Sequence, residues 1–186
     1  MKQSVARRKP ENSADYLALA LTTWGVGYIP GAPGTYGSGI AVIIYLAFSS
    51  LDANIGIFLL DHRYSLAQAS YLIWALNALL LSTFVLIGIW ASGRSVPLLG
   101  NSDPHSAVVD EVMGQLVTFC FVPFGLNWPF ILAGFLLFRL FDIWKPYPID
   151  DLQVLPGGIG ICGDDIIAGV YAGICLAIGY AITISL

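Results

Sequence analysis

The sequence LAQASYLIWALNALLLSTFVLIGIWA runs from Leu66 to Ala91 without a charged residue. A helix of this length is about 39 Å long at 1.5 Å per residue. The hydrocarbon core of a bilayer is about 30 Å thick, so such a helix is long enough to cross it. A helix also satisfies its own backbone hydrogen bonds, as a single segment in lipid must. The stretch therefore predicts a membrane-spanning helix.

The rest of the chain shares this apolar character. Of its 186 residues, 57% are hydrophobic and only 11% are charged. Further apolar stretches cover 38–60, 112–124, 128–138 and 166–186. The two middle stretches are long enough to cross only when the charged helical extensions beside them are included. We therefore expect an all-α fold, a compact integral membrane bundle of about four to five membrane-embedded helices with a Gly/Pro-rich loop at the cytoplasmic face.

The N-terminal end of the chain is basic. Half of the basic residues lie within the first nine positions: Lys2, Arg7, Arg8 and Lys9. Such a cluster is typical of a segment that stays in the cytoplasm beside anionic headgroups. We expect residues 1–13 to form a basic cytoplasmic tail and 14–186 to form a single membrane-embedded domain.

This tail sets a topology for the remaining segments. If the tail is cytoplasmic and each apolar stretch crosses once, residues 92–111 and 139–165 also lie at the cytoplasmic side. Arg63 is then the one basic residue outside, as the positive-inside tendency expects.

Three charged motifs lie beside apolar segments, where charge is costly and is usually kept for chemistry or transport. They are Asp110-Glu111, the run from Arg139 to Lys145, which contains Asp142, and Asp164-Asp165. The predicted topology places all of them at one membrane face. Carboxylates together with an Arg and a Lys indicate a divalent metal and a phosphate, so the motifs predict a single site.

The acidic pairs also have a purely structural explanation. Asp110 and Glu111 lie on a helix that Asp103-Pro104 is predicted to open, and acids are favoured in the first turns of a helix. Adjacent helical side chains point about 100° apart, so the two reach one metal cluster only at the helix edge, or bind two ions. Asp164 is a natural N-cap for the helix that follows it.

Arg139, Asp142 and Lys145 are spaced i, i+3, i+6 on a predicted helix. Arg139 can pair with Asp142 at this spacing. The structural explanation is an ion pair with a Lys whose charged end reaches the membrane surface. The functional one is phosphate binding, for which an Arg fork and a Lys point charge are the usual side chains.

The segment 24–38 is unusually rich in Gly and Pro for the edge of a membrane. Non-helical backbone at that depth is buried in protein or lines a wet cavity. We expect Ser38 to cap the following helix, whereas Thr35 either caps it or contacts phosphate. His105 lies near the predicted site, and we interpret it as a loop residue.

With these residues in place, the sequence resembles the phosphatidylglycerophosphatase A family. The resemblance rests on four motifs in order: Pro30-x-x-Pro33-Gly34-Thr35-x-Gly37-Ser38, Asp110-Glu111-x-x-Gly114, Phe138-Arg139-x-x-Asp142-x-x-Lys145-Pro146-x-Pro148-Ile149, and Gly157-Gly158-x-Gly160-Ile161-x-x-Asp164-Asp165-x-x-Ala168-Gly169. It implies an all-helical, magnesium-dependent phosphomonoesterase of the bacterial inner membrane that converts phosphatidylglycerophosphate to phosphatidylglycerol.

We assign roles to the charged residues as expectations. One or two Mg²⁺ ions are expected to bind Asp110, Glu111, Asp142, Asp164 and Asp165, since Mg²⁺ takes oxygen ligands. The expected catalytic residues among them are Asp110, Glu111, Asp164 and Asp165. The substrate phosphate is expected to contact Arg139, Lys145 and Thr35. The expected partners are phosphatidylglycerophosphate and membrane lipids, with no nucleic acid.

Two alternatives remain open at the level of sequence. Phosphate is released either by attack of an activated water or through an aspartyl-phosphate. The rival function is a small multi-span transporter, whose charges would spread along the spans; only Asp52 lies centrally in an apolar stretch. The Asp-Gly-x2-Ala-Arg pattern of CDP-alcohol phosphotransferases is absent from the sequence, which counts against a lipid phosphotransferase.

Overall fold

The computed structural model describes residues 5–101, 104–123 and 125–184, and it confirms the all-α fold class. Its helices are α1 (Ser13–Thr23), α2 (Pro33–Asp61), α3 (Leu66–Leu99), α4 (Val109–Phe119), α5 (Trp128–Trp144), α6 (Ile149–Leu152) and α7 (Gly157–Ile184). A short 3-10 turn at Val26–Tyr28 joins α1 to α2.

Three of the described helices, α2, α3 and α7, are long and apolar enough to cross a membrane. A capping box between Ser65 and Gln68 closes the turn of the α2–α3 hairpin. Large apolar side chains on this hairpin, such as Ile57 and Leu79, are exposed. An apolar exposed surface of this kind is suited to contact with lipid.

The helix α4 lies inside the bundle. It has 11 residues, so it is about 16 Å long and shorter than the hydrocarbon core of a bilayer. Val109, Met113 and Gln115 on this helix are fully buried. The helix packs against α2, α3, α5 and α7, which makes it the centre of the fold.

Close packing of α4 on α7 depends on two glycines. A Cβ at Gly169 would collide with the backbone carbonyl of Gly114. A Cβ at Gly114 would collide with the Phe138 ring and with the backbone carbonyl of Asp165. The two backbones therefore approach more closely than any side chain allows, as in small-residue packing between membrane helices.

The structure corrects the sequence prediction at the end of α3. The predicted span ends at Ala91, but the helix continues through Pro97 to Leu99. The polar residue Ser95, which favoured a loop, is buried, and its Oγ lies 3.0 Å from Oγ1 of Thr22 in α1. A tertiary hydrogen bond thus satisfies a side chain that would otherwise favour an irregular segment.

The predicted start of α4 is also wrong. The helix begins at Val109 rather than at Pro104, and Asp103 lies outside the described residues. The backbone N–H of Val108 donates to the carbonyl of Thr22 over 2.9 Å. Because the chain just before α4 is bound to α1 in this way, the helix starts later than its local sequence indicates.

Asp164 and Asp165, which follow the glycines at 157, 158 and 160, lie within α7. This helix starts at Gly157, so the prediction that Asp164 is an N-cap is wrong. A Cβ at Gly158 would collide with the carbonyl of Ile89 in α3. The glycines at 157, 158 and 160 therefore lie in the first turn of α7, which packs directly on the backbone of α3. The local sequence does not reveal this contact.

The predicted tail packs on the bundle in its described part. Asp15 of α1 is fully buried and accepts hydrogen bonds from Arg8 (2.7 Å) and from Arg94 of α3 (2.8 Å). The Arg8 guanidinium holds the pKa of the Asp15 carboxyl well below its usual range. Ion pairs thus fix α1 across the end of α3.

Because α4 and α7 touch at Gly169, adding one methyl group there is expected to lower the stability of the protein. Gly169→Ala places a Cβ against the Gly114 carbonyl, so we expect it to destabilise the protein by about 1–3 kcal/mol. Gly179→Ala is the matched control on the same helix, since its Cβ would have no neighbouring atom within 4 Å. The stability of each purified variant is measured by thermal unfolding in detergent. Equal unfolding midpoints for Gly169→Ala and Gly179→Ala would contradict the close packing of α4 on α7.

Candidate active site

One cavity of about 980 Å³ collects the charged motifs. It lies where the first turns of α2, α4 and α7 meet the end of α5. The predicted charged residues that line it are Asp110, Glu111, Arg139, Asp142, Lys145, Asp164 and Asp165. The structure therefore joins into one site charged motifs that lie on different helices between residues 110 and 165.

Three carboxylates form the inner part of the site, and we call them the carboxylate triad. Asp110, Glu111 and Asp165 each offer an oxygen, and these oxygens all lie within 4.8 Å of one another. Asp110 and Glu111 are adjacent on α4, but α7 brings Asp165 against both. The set fits a hard divalent cation such as Mg²⁺, which takes carboxylate oxygens.

The other two predicted metal ligands contact cations of the chain itself. Arg139 Nη1 lies 2.6 Å from Asp142 Oδ2, which confirms the pairing predicted from their spacing. Lys145 Nζ donates to Asp164 Oδ2. Asp142 and Asp164 thus hold the two basic side chains in the cavity, whereas the carboxylate triad remains grouped beside them.

The start of α2 forms one wall of the site without offering a side chain. A Cβ at Gly34 would come within 2.5 Å of Glu111 Oε1 and 2.7 Å of Arg139 Nη1. A Cβ at Gly37 would press on the carbonyl of Val108. The glycines of this motif therefore allow backbone to lie directly against the charged side chains.

The hydroxyl residues of the same motif do not line the cavity. Thr35 is exposed in the first turn of α2, and the cavity is lined by its neighbours Pro33 and Gly34 instead. Ser38 lies inside α2, where its Oγ donates to the Gly34 carbonyl over 2.9 Å. The prediction that Ser38 caps this helix is wrong, because the helix begins at Pro33.

Sequence reasoning missed several polar residues that border the site. They are Asp150, Asp151 and Gln153, on and just after α6, which line the cavity. His105, expected near the site, lines the cavity too. The short α6 gave no periodic pattern that could have identified them. Their exposure suits contact with a polar headgroup rather than with the reacting atoms.

Gln115 is a further residue that the sequence did not single out. It is fully buried, and neither polar atom of its amide has a hydrogen-bond partner among the described residues. It follows Glu111 by one helical turn on α4, and Glu111 Oε2 is likewise buried without such a partner. The i, i+4 spacing from a predicted ligand is the signal that could have identified it.

Burial has the largest effect on the pKa values of Asp110 and Glu111, the two triad residues on α4. It raises the pKa of the Asp110 carboxyl to about 6, and the charge of Asp164 acts in the same direction. Burial and the charge of Asp110 also hold the pKa of Glu111 well above its usual range. Buried carboxylates that repel one another are costly, and a divalent cation would offset that cost.

These shifts predict a pH dependence of stability. A carboxyl whose folded pKa is raised favours the protonated folded state, so without a divalent cation stability falls as pH rises from about 4 through about 6. Asp15 acts oppositely, but only below its ordinary pKa. Thermal unfolding in EDTA is therefore expected at a higher temperature near pH 5 than near pH 7.5, and Asp110→Asn should flatten the difference. A midpoint that rises over this interval would contradict the assignment.

Comparison with known proteins identifies the family of the chain. The sequence model of the family described as phosphatidylglycerophosphatase A matches residues 19–180. A protein of Bacteroides thetaiotaomicron named putative phosphatidylinositol-3-phosphatase is 35% identical, over 84% of this chain and 89% of its own. No solved structure matches the chain significantly.

Two further relatives carry the family's own name. Phosphatidylglycerophosphatase A of Escherichia coli is 32% identical over 96% of this chain and 91% of its own. Phosphatidylglycerophosphatase A of Haemophilus influenzae is 35% identical over 83% of this chain and 82% of its own. The chain belongs to the phosphatidylglycerophosphatase A family and is a phosphatase.

Proposed function

We propose that the protein hydrolyses the phosphomonoester of phosphatidylglycerophosphate to phosphatidylglycerol, with Mg²⁺, at the cytoplasmic face of a bacterial inner membrane. The observation that carries this proposal is the carboxylate triad beside Arg139 and Lys145 in one cavity. A phosphate and a divalent cation need these two kinds of group next to each other. Family membership supports the choice of lipid substrate.

Each charged residue has a distinct part in the proposed reaction. Asp110, Glu111 and Asp165 hold Mg²⁺, which when bound neutralises charge on the phosphate and activates the attacking group. Arg139 and Lys145 bind the phosphate oxygens. Asp142 and Asp164 orient these two basic side chains, which keeps them in place before substrate arrives.

The attacking group is either water or one of the carboxylates. Water attack needs a base, for which the cavity offers several carboxylates. Attack by a carboxylate would instead leave a phosphorylated acid that water hydrolyses in a second step. We favour water attack, because a carboxylate that holds the cation is less available as a nucleophile.

The cavity's location suits a lipid substrate. It opens where α7, a candidate membrane span, begins, and α5 presents exposed apolar residues such as Ile143 and Trp144 beside it. In this arrangement the acyl chains remain in the bilayer while the phosphate enters the cavity. An exposed apolar surface next to a charged cavity is typical of enzymes that act at an interface.

The transporter alternative has little support from the described residues. Asp52, the central acid of α2, is buried and accepts a hydrogen bond from Asn77 of α3 over 2.8 Å. This pair joins the two helices of the hairpin and so has a structural role. The charged motifs gather in one cavity instead of following a path across the membrane.

The first test compares substrates. Purified protein is given phosphatidylglycerophosphate, phosphatidylinositol 3-phosphate and phosphatidic acid, each with Mg²⁺ and with EDTA, and phosphate release is measured. We expect the highest kcat/KM for phosphatidylglycerophosphate and no release in EDTA. Preference for the inositol lipid would instead indicate the activity for which the Bacteroides relative is named. Phosphate release in EDTA would contradict the proposed role of the cation.

The second test separates the two groups of acids. Asp165→Asn removes a ligand of the carboxylate triad, so we expect kcat/KM and Mn²⁺ affinity to fall by more than about 100-fold. Asp142→Asn is the matched control, since it makes the same change at the partner of Arg139. It should raise KM while Mn²⁺ affinity, measured by electron paramagnetic resonance, stays within about threefold. Equal loss of Mn²⁺ affinity in both variants would refute the division of roles.

A further inference from the structure

A groove along α1 lies outside the catalytic cavity. Its two parts have volumes of about 380 Å³ and about 510 Å³, and both are lined by Leu19 and Tyr28. One part is bordered by basic residues of the N-terminal segment, and the other by apolar residues of α1. None of the residues that line the groove lines the catalytic cavity.

The basic end of the groove has a defined backbone. The N–H of Val5 donates to the Gly100 carbonyl over 3.2 Å, and the N–H of Arg8 donates to the Pro97 carbonyl over 2.9 Å. Arg7 Nε donates to the carbonyl of Leu98 over 3.2 Å. The basic side chains of this segment are therefore held at the end of α3 rather than on a free tail.

The charge at this end is positive. Arg8 and Arg94 share the buried carboxylate of Asp15. Arg7 and Lys9 border the groove and are exposed, with Glu11 the other acid of the segment. The basic side chains thus outnumber the acidic ones, and an anionic group is the complementary ligand.

The other end of the groove is apolar. Leu19, Ala20 and Trp24 line it. The Trp24 ring also packs on Phe84 of α3, with the ring centroids 6.3 Å apart, so the core of the bundle lies behind this end of the groove. An acyl chain is the complementary ligand for an apolar surface of this kind.

The groove lies at the level of the catalytic cavity. The Val108 N–H donates to the carbonyl of Thr22 in α1, and Asp110 follows two residues later. If the cavity lies at the membrane surface, as the proposed function requires, then α1 lies there too. A cationic end joined to an apolar channel at that depth matches the headgroup and one acyl chain of a phospholipid.

We propose that this groove is a second lipid site, which binds one anionic glycerophospholipid of the surrounding bilayer. The headgroup phosphate contacts Arg7 and Lys9, and one acyl chain lies along Leu19 and Ala20. This inference rests on the proposed function in one respect, namely that the groove lies at the membrane surface. An anionic bilayer lipid held here stabilises the N-terminal segment and α1 against α3.

Native mass spectrometry of the full chain in detergent tests the proposal. Phosphatidylglycerol and phosphatidylcholine are titrated separately, and we expect one phosphatidylglycerol to bind more tightly. The double variant Arg7→Gln/Lys9→Gln should weaken phosphatidylglycerol binding by about 10- to 30-fold, at roughly 1 kcal/mol for each basic residue lost. Ala20→Trp, which fills the apolar end, should weaken it as well without removing a charge.

Two controls identify the site. Arg63→Gln removes an exposed basic residue from the opposite end of α3 and should leave binding unchanged. Arg139→Gln tests whether the lipid is instead held in the catalytic cavity as a product. Loss of phosphatidylglycerol in that variant, with retention in Arg7→Gln/Lys9→Gln, would overturn the proposal, and so would equal affinity for the two lipids.

Phosphate release from phosphatidylglycerophosphate is measured in the same preparations. A wild-type protein that binds one phosphatidylglycerol through the groove but releases no phosphate would refute the proposed function and leave the second site standing. A protein that releases phosphate but binds both lipids equally would refute the second lipid site and leave the proposed function standing.

Discussion

The contact between α4 and α7 is the constraint on which the site depends. Gly114 and Gly169 allow the two backbones to touch, and this contact brings Asp165 of α7 against Asp110 and Glu111 of α4. A larger residue at either glycine would separate the helices and disperse the carboxylates. The same packing buries these acids, which raises the pKa of Asp110 and Glu111 and makes a divalent cation favourable there.

The site assigns different tasks to acids that look alike in the sequence. Asp142 and Asp164 pair with Arg139 and Lys145, so they orient the groups that bind phosphate. Among the described residues, no basic side chain forms an ion pair with the carboxylate triad. The cluster therefore places the proposed cation site beside the proposed phosphate site, as hydrolysis of a phosphomonoester would require.

Much of this arrangement could be predicted from the sequence. The all-α membrane fold follows from the long uncharged stretches, and the Arg139–Asp142 pair follows from helical spacing. The start of α7 at Gly157 could not be predicted, because its first turn packs at Gly158 on the carbonyl of Ile89 in α3, far away in the sequence. Local rules favoured Asp164 as an N-cap and a loop after Ala91, and tertiary contacts overruled both.

In the proposed mechanism, Asp110, Glu111 and Asp165 together hold the divalent cation. Crystals of the protein grown with Mn²⁺, with anomalous scattering recorded at the manganese edge, would locate the ion. We expect an anomalous peak that contacts an oxygen of each of these three residues, with Asp142 still paired to Arg139. A peak bound instead by Asp142 and Asp164, with Arg139 and Lys145 displaced, would contradict this mechanism.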